Sequence, residues 1–177
     1  MNDNEPMRVT IREPRPADAA AYAEAVIRSA EHIGRWNPVD PDGFHELLRQ
    51  QGLGLRTFLI IDGESGGIVG KCNVANIARG RFRNATLGYD SYLPHAGTGR
   101  MSEGMRLVVD RCFADTREGL GLHRLEINVQ PENERSIALA KRLGFRHEGF
   151  SPRFLFLNDA WRDHERFALT VEDWPGL

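Results

Sequence analysis

The sequence predicts one α/β domain of the α+β kind, with a central mixed, mostly antiparallel sheet flanked by helices. Three observations predict it. Strand-like alternation fills Arg56 to Leu93, a strong helical stripe occupies Met101 to Arg117, and a strand–helix–strand unit follows from Leu122. At 177 residues the chain suits one hydrophobic core and is short for two. Residues 1–177 are therefore read as a single domain, with 1–7 polar and flexible.

Arg8 to Arg12 alternates like an edge strand. Pro16-Ala17-Asp18 starts a helix whose apolar face is Ala19, Tyr22, Ala23, Val26, Ile27 and Ala30, at spacings of three and four. Two prolines make Trp36 to Asp42 a loop, and Phe44, Leu47 and Leu48 mark a short helix. Thr57–Asp62 and Ile68–Ile77 form a hairpin across Gly63-Glu64-Ser65-Gly66-Gly67. A further strand runs from Ala85 to Leu93. In the next helix Met101, Met105, Val108, Val109, Cys112 and Phe113 share one stripe, and Gly119 and Gly121 terminate it. Leu122 to Val129 is a strand, Asn133 caps a helix reaching about Leu143, and Gly144 stops it. Phe145–Phe156 and Arg166–Val171 supply the last strands around an Asn158-Asp159 turn.

Charge is nearly balanced, 23 basic against 25 acidic residues, so neither nucleic acid nor a membrane surface is implied as a partner. No apolar run is long enough to cross a bilayer, and Met1 to Pro6 lacks the pattern of a signal peptide, which points to the cytoplasm. Cys72 and Cys112 stand apart from other thiols and are read as buried free thiols. The histidines show no paired spacing, so no metal site is expected.

The most informative stretch is Tyr89-Asp90-Ser91-Tyr92-Leu93-Pro94-His95-Ala96-Gly97-Thr98-Gly99-Arg100-Met101-Ser102-Glu103, a strand, a glycine loop and a helix start. Gly97 and Gly99 let the backbone turn tightly, so that amides converge at a positive helix end, which suits a diphosphate. Arg100 adds a charged donor and Ser102 a hydroxyl or a cap. Tight structural turns use the same glycines. A P-loop is excluded because Gly-Lys-Ser/Thr is absent, and a dinucleotide fingerprint fails because Ser102 stands where its third glycine belongs.

That order and those residues resemble the GNAT superfamily of acyltransferases, in particular the branch typified by RimJ and RimL, which acetylates N-terminal amines of ribosomal proteins. The resemblance rests on Leu87-Gly88-Tyr89, Gly97-Thr98-Gly99-Arg100-Met101-Ser102-Glu103, Gly121-Leu122-His123-Arg124-Leu125-Glu126 and Pro131-Glu132-Asn133-Glu134-Arg135-Ser136. It continues through Leu143-Gly144-Phe145-Arg146-His147-Glu148-Gly149 to Trp161-Arg162-Asp163-His164, with Ile33-Gly34-Arg35-Trp36-Asn37-Pro38 matching the branch's early loop.

The resemblance implies acetyl-CoA as co-substrate, held where Leu87–Leu93 and Leu122–Val129 part. Pantetheine would pair with the backbone of Asp90 and Ser91, and the diphosphate would take amides from Gly97 to Ser102, including Thr98, Gly99, Arg100 and Met101. Asn133 and Ser136 would lie near pantetheine and sulfur, and Lys141 near the outer phosphate. Ala96 and Met101 depart from the family's loop ends. Many members also carry a glutamate on the strand before the loop, where Asn84-Ala85-Thr86 offers no carboxylate.

Attack by an amine on a thioester needs a proton acceptor, an oxyanion site and a route for the thiolate to leave. Asp90 and Glu126 are the candidate bases, backbone near Asp90 and Ser91 the oxyanion site, and Ser136 the partner of the leaving sulfur. Glu103 fits an ion-pair role and His123 a structural one. Trp36, Phe154 and Trp161 would line the acceptor pocket, and Ser91 and Asn128 would bear on acyl-chain length. The expected acceptor is a peptide or protein N-terminal α-amine, with a small amine such as an antibiotic, polyamine or amino acid as the alternative. A non-catalytic acyl-CoA sensor is the rival of a different class. A homodimer, common among resembling proteins, stays open as one way to bury an edge strand.

Overall fold

β-Branched and aromatic side chains in alternation draw the described residues into a seven-stranded sheet of order β1-β2-β3-β4-β5-β7-β6. The computed structural model describes residues 8–176. The first seven residues, read as flexible from sequence, lie outside the described residues. The strands are β1 (Val9–Arg12), β2 (Leu55–Asp62), β3 (Ile68–Ala78), β4 (Asn84–Ser91), β5 (Arg124–Val129), β6 (Arg146–Leu157) and β7 (Ala160–Thr170). The helices are α1 (Ala19–Arg28), α2 (Ala30–Gly34), α3 (Phe44–Arg49), α4 (Arg100–Phe113) and α5 (Glu134–Arg142). All ladders are antiparallel except β4 with β5, which is parallel and is bridged by α4.

Helices cover both faces of the sheet. Tyr22, Val26 and Phe44 of α1 and α3 pack with Leu59, Ile68 and Tyr92 on one face. Met105, Val108 and Cys112 of α4, with Ala140 and Leu143 at the end of α5, pack with Ile60, Leu87 and Ile127 on the other. Both cysteines are free and buried, as expected. Helix α4 lies so close to the sheet that a Cβ added at Gly104 would stand 2.3 Å from Ile60 Cγ2.

Three sequence expectations shift. The first helix breaks at Ser29, whose amide bonds back to Ala25 and Val26 while its Oγ accepts from the Leu93 amide at 2.9 Å. Its buried face is Tyr22, Ala25 and Val26, and Ile27 is 64% exposed, because at about 100° per residue Ile27 is turned off the stripe that Tyr22 and Val26 share. Helix α4 stops at Phe113 rather than Arg117. Ala114 turns extended, and the chain folds back so tightly that a Cβ at Gly119 would meet the Arg111 carbonyl oxygen at 2.2 Å. Strand β7 starts at Ala160, six residues before the predicted Arg166. The left-handed Asn158 and Asp159 close a two-residue turn, so Leu157 pairs with Ala160 at once.

Candidate active site

β4 and β5 pair from Asn84↔Arg124 to Leu87↔Ile127 and then part, although β4 continues to Ser91 and β5 to Val129. A cleft of about 900 Å³ opens there, bordered by β4, the Ala96–Ser102 segment, α5 and the end of α2. Tyr92 donates to the Val69 carbonyl of β3, and strand alternation turns the Asp90 amide the same way. The backbone groups of Tyr89 and Ser91 therefore face the gap. Ser91 has its backbone turned to the gap, whereas Asp90's backbone is spent on β3 and only its side chain is left for the cleft.

The glycine loop is built as a cradle. Gly97 and Gly99 have φ of 82° and 87°, a left-handed backbone that suits glycine. Gly99 is the N-cap of α4 without a side-chain cap bond, so the first amides of the helix lack intrahelical partners. Gly97, Gly99, Met101 and Ser102 border the cleft. Thr98 and Arg100 do not. Thr98 Oγ1 donates to the His95 carbonyl at 2.7 Å, and Arg100 Nε donates to Asp62 Oδ1 at 2.5 Å. Asp62 also accepts from the Ser65 hydroxyl and amide, and these bonds with Arg100 hold its carboxyl well below the usual range. Arg100 is thus a structural partner of the β2–β3 turn. Glu103 pairs with Arg8, the ion-pair role expected of it.

On the opposite wall, Asn133 caps α5 by accepting the Ser136 amide at 3.2 Å. This fixes the first turn and points Ser136 into the cleft, where its Oγ lies 2.8 Å from the Tyr89 hydroxyl. Burial pushes the Tyr89 phenol up to about 12, so it stays protonated and able to donate. Lys141 is exposed and off the cleft. One residue on, the helix turns Arg142 onto the wall with Arg135, Leu139 and Ala138.

Asp90 borders the cleft at 4% exposure. Lys71 Nζ is 3.2 Å from its Oδ2, and Asn37 Nδ2 donates to its Oδ1 at 2.8 Å. Trp36 and Arg35 wall both this cleft and a second chamber of about 480 Å³, which Trp161, Gln130 and Asn158 complete. Gln130 donates to the Trp36 carbonyl at 3.0 Å, and Asn158 to the Arg35 carbonyl at 3.1 Å, so side chains from beyond β5 and from the β6–β7 turn hold this loop. Like Thr98, Arg100 and Lys141, two further candidates lie off the cleft. Glu126 is held by Arg124 and Arg166, each at 2.9 Å. Phe154 meets His164 at a tilt, with ring centroids 5.8 Å apart, and lies beneath Arg166. His123 pairs with Glu172 at 3.0 Å, away from the cleft.

A model of the acetyltransferase (GNAT) domain matches residues 8–146. The chain belongs to the GNAT acetyltransferases. It is 31% identical over 182 residues to the [ribosomal protein uS5]-alanine N-acetyltransferase of Escherichia coli, covering 96% of this chain and 91% of that one. Among solved structures, Mycobacterium smegmatis RimJ in complex with CoA-disulfide superposes with a TM-score of 0.83 at 30% identity, over 94% of this chain and 84% of that one. The ribosomal-protein-S5-alanine acetyltransferase of Vibrio fischeri gives 0.81 at 26% identity, over 96% and 97%. A spermidine N-acetyltransferase of Vibrio cholerae, at 20% identity over 94% of this chain and 97% of that one and a TM-score of 0.78, shares the fold.

This GNAT enzyme is an acyltransferase whose cleft fits CoA by its donor set: helix-start amides without intrahelical partners, a glycine cradle, and Arg135 and Arg142 along one wall. The residues missed in sequence are Tyr89, Lys71, Asn37 and Arg142. Tyr89 stood in the quoted Leu87-Gly88-Tyr89, and strand alternation from Ser91 would have turned it to the same face. Lys71, inside an apolar strand, carried the signal of an unexplained buried charge.

Proposed function

We propose that this enzyme transfers acetyl from acetyl-CoA to the N-terminal α-amine of a polypeptide, by direct attack in a ternary complex. The supporting observation is the second chamber, which continues the cleft past Arg35, Trp36 and Glu132 toward the β6–β7 turn. It offers room for residues that follow an acceptor amine. Its walls join two tryptophans to amide side chains and charges of both signs, Arg35 and Arg162 with Glu132 and Asp163. Such a lining suits a polypeptide better than a polyamine, whose several cations would favour a purely acidic wall.

An α-amine has an unperturbed pKa of about 7.7–8.0, so part of it is neutral near pH 7. The nitrogen forms a bond to the acetyl carbon, the carbon–sulfur bond breaks, the nitrogen gives up a proton and the sulfur takes one. Asp90 receives the amine and its proton. The Ser91 amide, turned to the gap, steadies the developing oxyanion. The Ser136 hydroxyl, with Tyr89 behind it, protonates the departing sulfur.

The test is the mass of the product from a short peptide carrying an internal lysine, beside the same peptide with its α-amine blocked. The proposal expects one acetyl group on the free peptide, at the α-amine, and none on the blocked one. Acetylation of the blocked peptide at lysine, or transfer to small amines alone, would replace the reading.

A further inference from the structure

Lys71 is a buried charge in a central strand. It stands on β3 directly opposite Asp90 of β4, is 6% exposed, and donates to the Tyr22 hydroxyl at 3.2 Å. Burial opposes its charge, and the Asp90 carboxylate and Tyr22 more than offset that, keeping the ammonium above its ordinary value. Asp90 is bound from the other side by Asn37, which belongs to the loop that walls both chambers. Among the described residues no aligned hydrogen bond fills Asp90 Oδ2, although Lys71 stands 3.2 Å away. The Tyr92 hydroxyl is also buried, and burial before all raises its phenol, so it adds no charge.

Stability does not account for this arrangement. Two buried ions lose hydration that their attraction barely repays, and replacing such a pair by apolar side chains is often neutral or stabilising. The pair sits just beyond Leu87↔Ile127, where β4 and β5 part, and the carboxylate borders the cleft while the ammonium does not. Its position matches a task at the gap.

We propose that Lys71 is a positioning residue for acetyl transfer: with Asn37 it fixes the Asp90 carboxylate, and the fixed carboxylate meets the acceptor amine. This rests on the reading of Asp90 as the group that receives the amine. Lys71 itself touches neither substrate. Its charge keeps the carboxylate buried and oriented, while the Asn37 bond ties that orientation to the acceptor loop.

The experiment compares the wild-type enzyme with Lys71→Met, Lys71→Arg, Asp90→Asn and the double variant Lys71→Met/Asp90→Leu. For each, melting temperature, CoA affinity and the kcat and KM for the wild-type acceptor are measured, whichever amine that acceptor is. The double variant is expected to melt near wild type and bind CoA within twofold, with kcat/KM for the acceptor lowered by about 100-fold or more, on the scale of a lost proton-transfer group. Lys71→Met is expected to lose at least about tenfold with CoA affinity kept, and Lys71→Arg to recover part of it. A folded double variant within threefold of wild-type kcat/KM would overturn the proposal and leave the pair a packing feature. If the double variant does not fold, Lys71→Met decides on the same readouts. Loss in Asp90→Asn without loss in Lys71→Met overturns the proposal and keeps the Asp90 reading, whereas full activity in Asp90→Asn sinks both. Transfer to small amines instead of peptides removes the polypeptide reading and leaves this one tested.

Discussion

The Tyr89 hydroxyl meets the Ser136 Oγ at 2.8 Å, so a strand side chain and the first turn of α5 touch inside the cleft that β4 and β5 open. Asn133, capping the same turn, fixes the height of Ser136. The phenol, raised by burial to about 12, remains a donor across the working pH range. Ser136 can then accept from Tyr89 and direct its own hydrogen elsewhere.

Ser136→Ala is therefore expected to lower kcat by roughly 100-fold, and Tyr89→Phe by about tenfold, with CoA affinity unchanged in both. Steady-state kinetics beside calorimetric CoA binding checks this. An acetyl thioester with a more acidic thiol should recover much of the Ser136→Ala loss, since its sulfur needs no proton to leave. Equal loss with both thioesters would remove the serine from that step.

Arg142 and Arg100 should separate cleanly. Arg142 borders the cleft, so Arg142→Ala is expected to weaken CoA by about tenfold, or roughly 1.4 kcal/mol, if its charge meets a phosphate of the cofactor. Arg100 is tied to Asp62 and Glu64, so Arg100→Ala should lower the melting temperature with little selective effect on CoA. Titration of both variants with CoA, beside melting curves, decides between them.

Gly104 is where α4 approaches the sheet, and a Cβ there would stand 2.3 Å from Ile60 Cγ2 and 2.7 Å from its Cδ1. Gly104→Ala is expected to destabilise by about 1–3 kcal/mol through overpacking. Ile60→Val in the same chain removes one of the crowded atoms and should return part of the loss. Urea unfolding of the two variants measures it.

Glu148 supplies a pH signature. Hydrogen bonds from Arg124 and Arg146 hold its carboxyl near 2, against an ordinary value near 4.5. A folded-state value below the unfolded one gives stability that is complete above the unfolded value and is lost as pH falls toward 2. Glu148→Gln should thus melt lower than wild type at pH 7, with the gap narrowing steadily below pH 4. A gap that stays constant from pH 7 to pH 2.5 would show that the charge of Glu148 adds nothing. The side chain is 27% exposed, so the effect is modest and shrinks with salt.

Periodicity and turn chemistry made most of the fold legible. The α4 stripe, the Asn133 cap, Gly144 and the Asn158-Asp159 turn act locally, and local rules read them well. Strand β7 was cut short because Arg162 to Glu165 is a polar run without apolar alternation. Its pairing depends on the turn rather than on alternating apolar residues. That Gly97, Gly99 and Ser136 border one cleft follows from the same local rules, a tight turn before α4 and a capped first turn of α5. Asp90 was visible as a residue, but Lys71 and Asn37, 19 and 53 positions away in sequence, meet it only through the β3–β4 register and the packing of the acceptor loop. Arg100 misled because its charge fitted a diphosphate equally well, and only the fold reveals that Asp62 claims it.

The most direct measurement is thiol release from acetyl-CoA over a panel of peptides with free N-termini and of small amines, with uncatalysed hydrolysis subtracted and CoA binding followed in parallel. Release that depends on a free peptide α-amine, with kcat/KM rising as residues are added beyond the first, is the predicted result. Release with small amines alone, or CoA binding with no release for any amine, would contradict transfer to a polypeptide N-terminus.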